Sequence, residues 1–145
     1  MTESEAIENF KEFCRQELKA LAHQFGLKEV VSSKHKFENP YKIAFKNKEF
    51  FIQLESISYG FRSTTTFGKS SRVNSFSVQN ALCLLKGRAE VEKYNDICPS
   101  GYPANIKRDL KILNDNLNFF TQLNDNQKIA ALLNVQKENL KQYRV

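Results

Sequence analysis

Residues 39–67 read NPYKIAFKNKEFFIQLESISYGFRSTTTF, and apolar side chains alternate with polar ones through most of this stretch. A period of two is the pattern of a β-strand with one buried face and one solvated face. It predicts three strands, over residues 41–46, 49–55 and 57–66. The connections between them are short and polar, whereas a parallel return needs about a dozen residues or more, so the strands must pair antiparallel. We therefore predict a β-meander at the centre of the chain.

An amphipathic helix is predicted before the meander, over residues 4–25. Its apolar residues recur at steps of three and four: Ile7, Phe10, Cys14, Leu18, Leu21 and Phe25. Thr2 or Ser4 can cap the start, and Gly26 suits the left-handed residue that ends a helix. Residues 28–37 are predicted to form a polar edge strand, because lysines discourage unwanted pairing, and Pro40 ends it.

The segment after the meander changes in composition. Residues 60–77 are rich in Ser, Thr, Gly and basic residues, which indicates a strand end followed by a loop, or a polar edge strand; this is the least core-like part of the sequence. A short helix is predicted over residues 78–86, with Ser77 as its cap and Gly87 as its stop, and a second over residues 88–94. Prolines and glycines over residues 96–103 predict a loop.

The last third of the chain is predicted to be helical. One apolar seam consists of Ile106, Leu110, Leu113, Leu117 and Phe120, and a second of Ile129, Leu132, Leu133, Val135 and Leu140. Asp109 and Asp115 are expected on solvated helix surfaces. Because the chain has 145 residues, of which 41% are hydrophobic, one domain spanning residues 1–145 is expected. The predicted fold class is α+β: an N-terminal helix, a three- to four-stranded antiparallel meander, and C-terminal helices packed on one face of the sheet.

The charge of the chain favours an anionic partner. The net charge is +6, and residues 26–74 alone carry nine Lys or Arg against four Glu. Nucleic acid, lipid head groups and an acidic protein surface would all suit such a balance.

The cysteines and the first residues indicate a cytoplasmic protein. Cys14, Cys83 and Cys98 are widely spaced and odd in number, so no disulfide framework or C-x-x-C motif is available. Cys14 and Cys83 are expected to be small hydrophobic residues on helix faces. The chain starts with acidic residues rather than a signal peptide, and no apolar run approaches the roughly 18 residues of a membrane span.

Catalytic and metal-binding signatures are missing from the sequence. Gly68-Lys69-Ser70 resembles the end of a phosphate-binding loop, but the first glycine of that motif is replaced by Ser63. His23 is expected to pack on the first helix, and His35 to lie in a solvated, lysine-rich strand end. We therefore expect no catalytic residues, no metal and no cofactor. An enzyme built around Cys98 and a histidine is kept as an alternative, since such partners need not be close in sequence.

Binding is the function class that the remaining residues favour. The candidate partner-binding residues lie near the predicted exit of the meander and combine aromatic rings with cationic groups: Tyr59, Phe61, Arg62, Lys69 and Arg72. Such residues anchor protein interfaces and also stack on or neutralise nucleic acid. Alternatively, the two rings are core positions and the basic residues only keep a polar loop soluble.

The chain also resembles a known family. The quoted segments are Asn39-Pro40-Tyr41-Lys42-Ile43-x-Phe45-x-Asn47, Phe51-Ile52-Gln53-Leu54-Glu55-Ser56-Ile57-Ser58-Tyr59-Gly60 and Asp109-Leu110-x-x-Leu113-x-x-Asn116-Leu117-x-x-Phe120. Together they resemble small bacterial immunity proteins of polymorphic toxin and contact-dependent inhibition systems. That resemblance covers about half of the chain and implies a compact α+β cytoplasmic protein that binds and blocks one toxin domain, with no shared active site. Immunity proteins against nuclease toxins are commonly acidic, whereas this chain is basic, so the implied toxin would offer an acidic surface.

The sequence therefore leaves two candidate functions. The first is a non-enzymatic protein-binding domain, most concretely a toxin-neutralising immunity protein. The second is a basic nucleic-acid-binding module; against it, most aromatic residues of the meander share the inward parity, with Phe51 the exception.

Overall fold

The predicted meander forms the middle of a five-stranded antiparallel sheet with strand order β1-β2-β3-β4-β5. The structure, a computed structural model, describes residues 2–30, 39–57, 62–70, 75–96, 101–121 and 126–142. In chain order the elements are α1 (Glu3–Phe25), β1 (Lys28–Glu29), β2 (Lys42–Lys46), β3 (Phe50–Ile57), β4 (Arg62–Lys69), β5 (Phe76–Ser77), α2 (Val78–Lys86), α3 (Arg88–Asp96), α4 (Tyr102–Asp115), α5 (Leu117–Thr121) and α6 (Asn126–Gln142). The α+β class, with helices on one face of the sheet, is confirmed.

The N-terminal helix begins and ends where its sequence signals predict. The Thr2 hydroxyl accepts a hydrogen bond from the backbone N–H of Glu5 at 3.2 Å, so it caps α1. Gly26 ends the helix with φ of +63°, a conformation that glycine adopts without steric cost. Four residues of the predicted stripe are buried, namely Phe10, Cys14, Leu18 and Leu21. The predicted edge strand that follows is reduced to β1 within the described residues, because residues 31–38 lie outside them.

The third meander strand lies further along the chain than predicted. β3 continues to Ile57, and β4 pairs with it over eight positions, from Phe50 opposite Lys69 to Ile57 opposite Arg62. The threonine-rich segment is therefore an inner strand, and the expectation that it is the least core-like part of the chain is wrong. Phe67 is 1% exposed and Thr65 is equally buried. Threonine is β-branched and suits a pleated strand. A pattern that counts threonine only as a polar residue does not show this preference.

Two further expectations about the helices are corrected. Pro103 belongs to the first turn of α4 rather than to the preceding loop, because a proline there loses no intrahelical hydrogen bond. The seam from Ile106 to Phe120 is not one helix: α4 ends at Asp115, and α5 starts after Asn116. The amide of Asn116 donates to the Ile112 carbonyl at 2.9 Å, which satisfies a C-terminal carbonyl and favours the break. The helices over residues 78–86 and 88–94 are confirmed as α2 and α3.

The core lies between the sheet and the helices and is rich in aromatic rings. Phe67 on β4 packs edge-on against Phe120 on α5, with ring centroids 4.6 Å apart. Phe10 on α1 makes the same kind of contact with Tyr102 on α4 at 5.2 Å. Such edge-to-face pairs add to the free energy gained by burying the rings. The helices thereby cover one face of the sheet with a rigid layer.

Candidate functional site

One face of the sheet is covered by helices, and the other carries a set of mostly polar side chains. Along β3, Ile52 and Leu54 point into the core, whereas Phe51, Gln53 and Glu55 are only half-buried. The register aligns the second set with half-buried and exposed residues of β2 and β4. We call this set the open face; its members are Lys42, Ala44, Lys46, Phe51, Gln53, Glu55, Thr64 and Thr66.

The open face is ordered in rows across the strands. Lys42 is the direct partner of Glu55, and this opposite-charge pair favours the observed register. Phe51 lies between Lys46 on β2 and Gly68 on β4. It is the only aromatic residue on this face of β2, β3 and β4 within the described residues. Aromatic rings such as this half-buried one are enriched at protein interfaces.

Asn39 fixes one end of the open face. Its amide donates to the Glu55 carboxylate at 3.3 Å and to the Ser56 carbonyl at 2.7 Å. Its side-chain oxygen accepts from the backbone N–H of Tyr41 at 3.0 Å. These three contacts hold the entry to β2 and orient Glu55, so this corner of the face is preorganised.

A groove of about 790 Å³ continues the open face toward the sheet edge formed by β1. We call it the basic groove; its lining includes Lys28, Val30, Lys46, Lys48 and Ser70. Lys28 is the direct cross-strand partner of Lys46, so two ammonium groups leave the same side of neighbouring strands. Val30 is 38% exposed and adds an apolar surface.

Glu29 also lines the groove, and its carboxylate is paired with Arg15. Arg15 on α1 donates to the two carboxylate oxygens of Glu29 at 2.7 and 3.3 Å. The same guanidinium bonds to Glu8 at 2.9 Å and Glu12 at 3.4 Å. The hydrogen bonds that Arg15 donates to Glu29 and then to Glu8 raise its pKa further above the usual value. The described lining of the groove therefore carries three lysines against one carboxylate.

Asn47 fixes the turn beneath the groove. Its side-chain oxygen accepts from the backbone N–H groups of Glu49 at 2.7 Å and Phe50 at 2.8 Å. Its amide donates to the Phe25 carbonyl at the end of α1, at 3.0 Å. The β2–β3 turn is thus bonded to the N-terminal helix, and Lys46 and Lys48 are carried by a fixed backbone.

A buried polar cluster between α4 and β4 was not foreseen. Asn105 and Asp109 are each 2% exposed, so the expectation that Asp109 is solvated is wrong. Arg108 Nε lies 3.7 Å from the Asp109 carboxylate, and Asn105 accepts a hydrogen bond from Ser63 N–H at 3.2 Å. Asn105 and Asp109 are four positions apart and therefore lie on one side of α4, next to the apolar seam at Ile106. This spacing is visible in the sequence.

The predicted partner-binding residues are only partly located. Tyr59, Phe61 and Arg72 lie outside the described residues. Arg62 begins β4 and Lys69 ends it. The backbone positions of these two residues are seven strand steps apart, about 23 Å. Lys69 is half-buried beside the basic groove residue Ser70.

Of the cysteines and histidines, the structure describes Cys14, Cys83 and His23. Burial raises the pKa of the Cys14 thiol to about 12, so it is protonated and unreactive at neutral pH. Cys83 is half-buried, while Cys98 and His35 lie outside the described residues. His23 is exposed on α1 and does not pack as expected, because it falls on the solvent side of the helix. Within the described ranges, no group of three or more metal-ligating side chains is found, and no helix is long and apolar enough to cross a bilayer.

Comparison of the chain with protein-family models, with curated proteins and with solved structures finds no match.

Proposed function

We propose that this chain is a cytoplasmic, non-enzymatic protein-binding domain, most concretely an immunity protein that binds and neutralises a cognate bacterial toxin domain. The observation that carries the proposal is the open face. It is a mixed polar surface whose one aromatic ring among the described strand residues, Phe51, lies in the end row with Lys46 and Gly68, on a sheet that is held from behind by an aromatic core. A rigid surface of this kind loses little conformational entropy on binding, which favours a tight complex.

The proposed mechanism is occlusion. Phe51 would insert into the partner's surface, while Gln53, Thr64 and the Lys42–Glu55 row supply directional polar contacts along the strands on one side of it. A few central residues usually provide most of the affinity, and the polar rim excludes water from them. The toxin would be inactive because the bound domain covers its active site.

The experiment is a pull-down of the tagged chain with the product of the adjacent gene, followed by a toxicity assay in cells that express both. We expect a stable complex and survival of the cells. Absence of a tight complex with that product, or a complex that leaves toxicity unchanged, would count against the immunity function.

A nucleic-acid-binding module is a second candidate because Phe51 is flanked by Lys46 on the open face. A ring beside an ammonium group is an arrangement that stacks on a base and neutralises a phosphate. Such binding weakens steeply with salt, since bound counterions are released. A gel shift with single-stranded RNA and DNA at about 50 mM salt tests it, and no shift under that condition would remove this candidate.

A further inference from the structure

The basic groove brings together three lysines that have no ion-pair partner among the described residues. Lys28 and Lys46 are direct cross-strand partners, and Lys48 lines the same groove. Like charges at opposed positions destabilise a strand pair. None of these three lysines has an ion-pair partner within the described part of the chain. A bound anionic group would therefore relieve a repulsion that is built into the sheet edge.

The backbone at this edge favours a peptide as the carrier of the anion. The Val30 N–H donates to the Ala44 carbonyl at 2.8 Å, so residues 28 and 30 are the positions bonded to β2. In an antiparallel ladder the residue between them points its N–H and C=O away from that neighbour. Glu29 thus presents its peptide groups outward at the edge of the sheet, where an extended segment can add.

The side chains at this edge also fit a peptide better than a nucleic acid. The exposed Val30 offers a contact for an apolar side chain. The described lining of the groove contains no aromatic residue and no arginine, the two side chains that stack on bases. Lysine ammonium groups are compact point charges that pair well with single carboxylates.

We propose that the basic groove binds an extended acidic segment of the partner protein, with its carboxylates against Lys28, Lys46 and Lys48 and an apolar side chain against Val30. This inference rests on the proposed protein-binding function and adds the chemistry of the partner. Arg15 is a positioning residue in it, because its two bonds hold the Glu29 carboxylate toward α1.

The test uses a fluorescent peptide of about ten residues that alternates Glu and Val, and a matched peptide that alternates Gln and Val. Anisotropy is measured at about 50 mM salt with the full chain, with the triple variant Lys28→Glu/Lys46→Glu/Lys48→Glu, and with the control Lys19→Glu/Lys86→Glu/Lys111→Glu. The two variants change the net charge equally, and the control lysines are exposed on α1, α2 and α4.

We expect the Glu peptide to bind, the groove variant to weaken it by about tenfold or more, and the control to weaken it by less than about threefold. Equal weakening by both variants, equal binding of the Gln peptide, or tighter groove-dependent binding of a single-stranded oligonucleotide would overturn the inference. If the groove variant still binds the adjacent gene product, the groove inference fails and the proposed function stands. If the Glu peptide binds the groove but that product does not bind, the proposed function fails instead.

Discussion

The side-chain oxygen of Asn105 on α4 accepts a hydrogen bond from the backbone N–H of Ser63 on β4 at 3.2 Å, across 42 residues of sequence. Ser63 is opposite Ser56, whose own N–H donates to Tyr41 on the β2 side, so Ser63 presents its N–H away from β3. β5 pairs with β4 only at Thr66 and Phe67 and does not reach this position. The Asn105 side chain thus accepts a hydrogen bond that in a longer strand pair a backbone carbonyl would accept.

Replacing Asn105 by Leu should destabilise the fold by about 1–3 kcal/mol, because it leaves the Ser63 N–H buried without an acceptor. Urea denaturation measures this free energy. Asn114→Leu is the matched control, since Asn114 is exposed on the same helix and should change stability by less than about 0.5 kcal/mol. Equal stability of the two variants would show that the contact does not hold α4 to the sheet.

Asn47→Ala should cost a similar amount, about 1–3 kcal/mol, since two turn N–H groups and the Phe25 carbonyl lose their partner at once. Amide hydrogen exchange locates the effect. We expect faster exchange at Glu49 and Phe50 than in the unchanged protein, and unchanged exchange in the buried turns of α4. Uniform acceleration across the chain would instead indicate a loss of global stability.

Because of the buried Cys14 thiol, we expect the free energy of unfolding to decrease at alkaline pH. Its pKa is about 12 in the folded protein against 9.0 for an ordinary thiol, so above pH 9 the unfolded chain releases this proton and the folded chain retains it. The contribution of the protonated thiol to the free energy of unfolding is fully present below about pH 9 and decreases as the pH rises toward 12. Between pH 8 and pH 10 the unchanged protein should lose about 1 kcal/mol more than Cys14→Ala, as measured by urea denaturation. Parallel losses in the two proteins would contradict a buried, protonated thiol.

Arg15→Ala should destabilise the protein by about 1 kcal/mol or less, because the ion pairs with Glu8, Glu12 and Glu29 are partly exposed. The loss should shrink at about 1 M salt, where the screening length falls to about 3 Å. Thermal unfolding of Arg15→Ala and of Lys19→Ala at low and high salt checks this. A loss that does not depend on salt would show that packing of the arginine stem, rather than its charge, holds α1 to β1.

The sequence predicts the elements with strong periods and clear caps. α1 and α2 start and stop at their predicted caps because Thr2, Gly26 and Ser77 act through local geometry. β4 could not be delimited in the same way. The burial of β4 depends on the strands and helices that pack against it. Its threonines are polar, as in a loop, but their β-branched side chains favour a strand.

The candidate site is less visible in the sequence. The parity of Phe51 marks it as outward-facing, and the register confirms its position on the open face. The basic groove depends on Lys28 and Lys46 being opposed across 18 residues, from 28 to 46, and only strand pairing determines this. The alternation of residues within each strand does not by itself determine which residues of two distant strands lie opposite each other.

The affinity of the adjacent gene product for the Phe51→Ala variant, measured by titration calorimetry, tests the central claim most directly. Leu133→Ala is the control, because Leu133 is 40% exposed on α6 and lies away from the open face. If the open face is the recognition surface, Phe51→Ala should weaken the complex by at least about tenfold while Leu133→Ala leaves it within about twofold. Unchanged affinity of the Phe51 variant together with a loss in the Leu133 variant would place recognition on the helices and contradict the account.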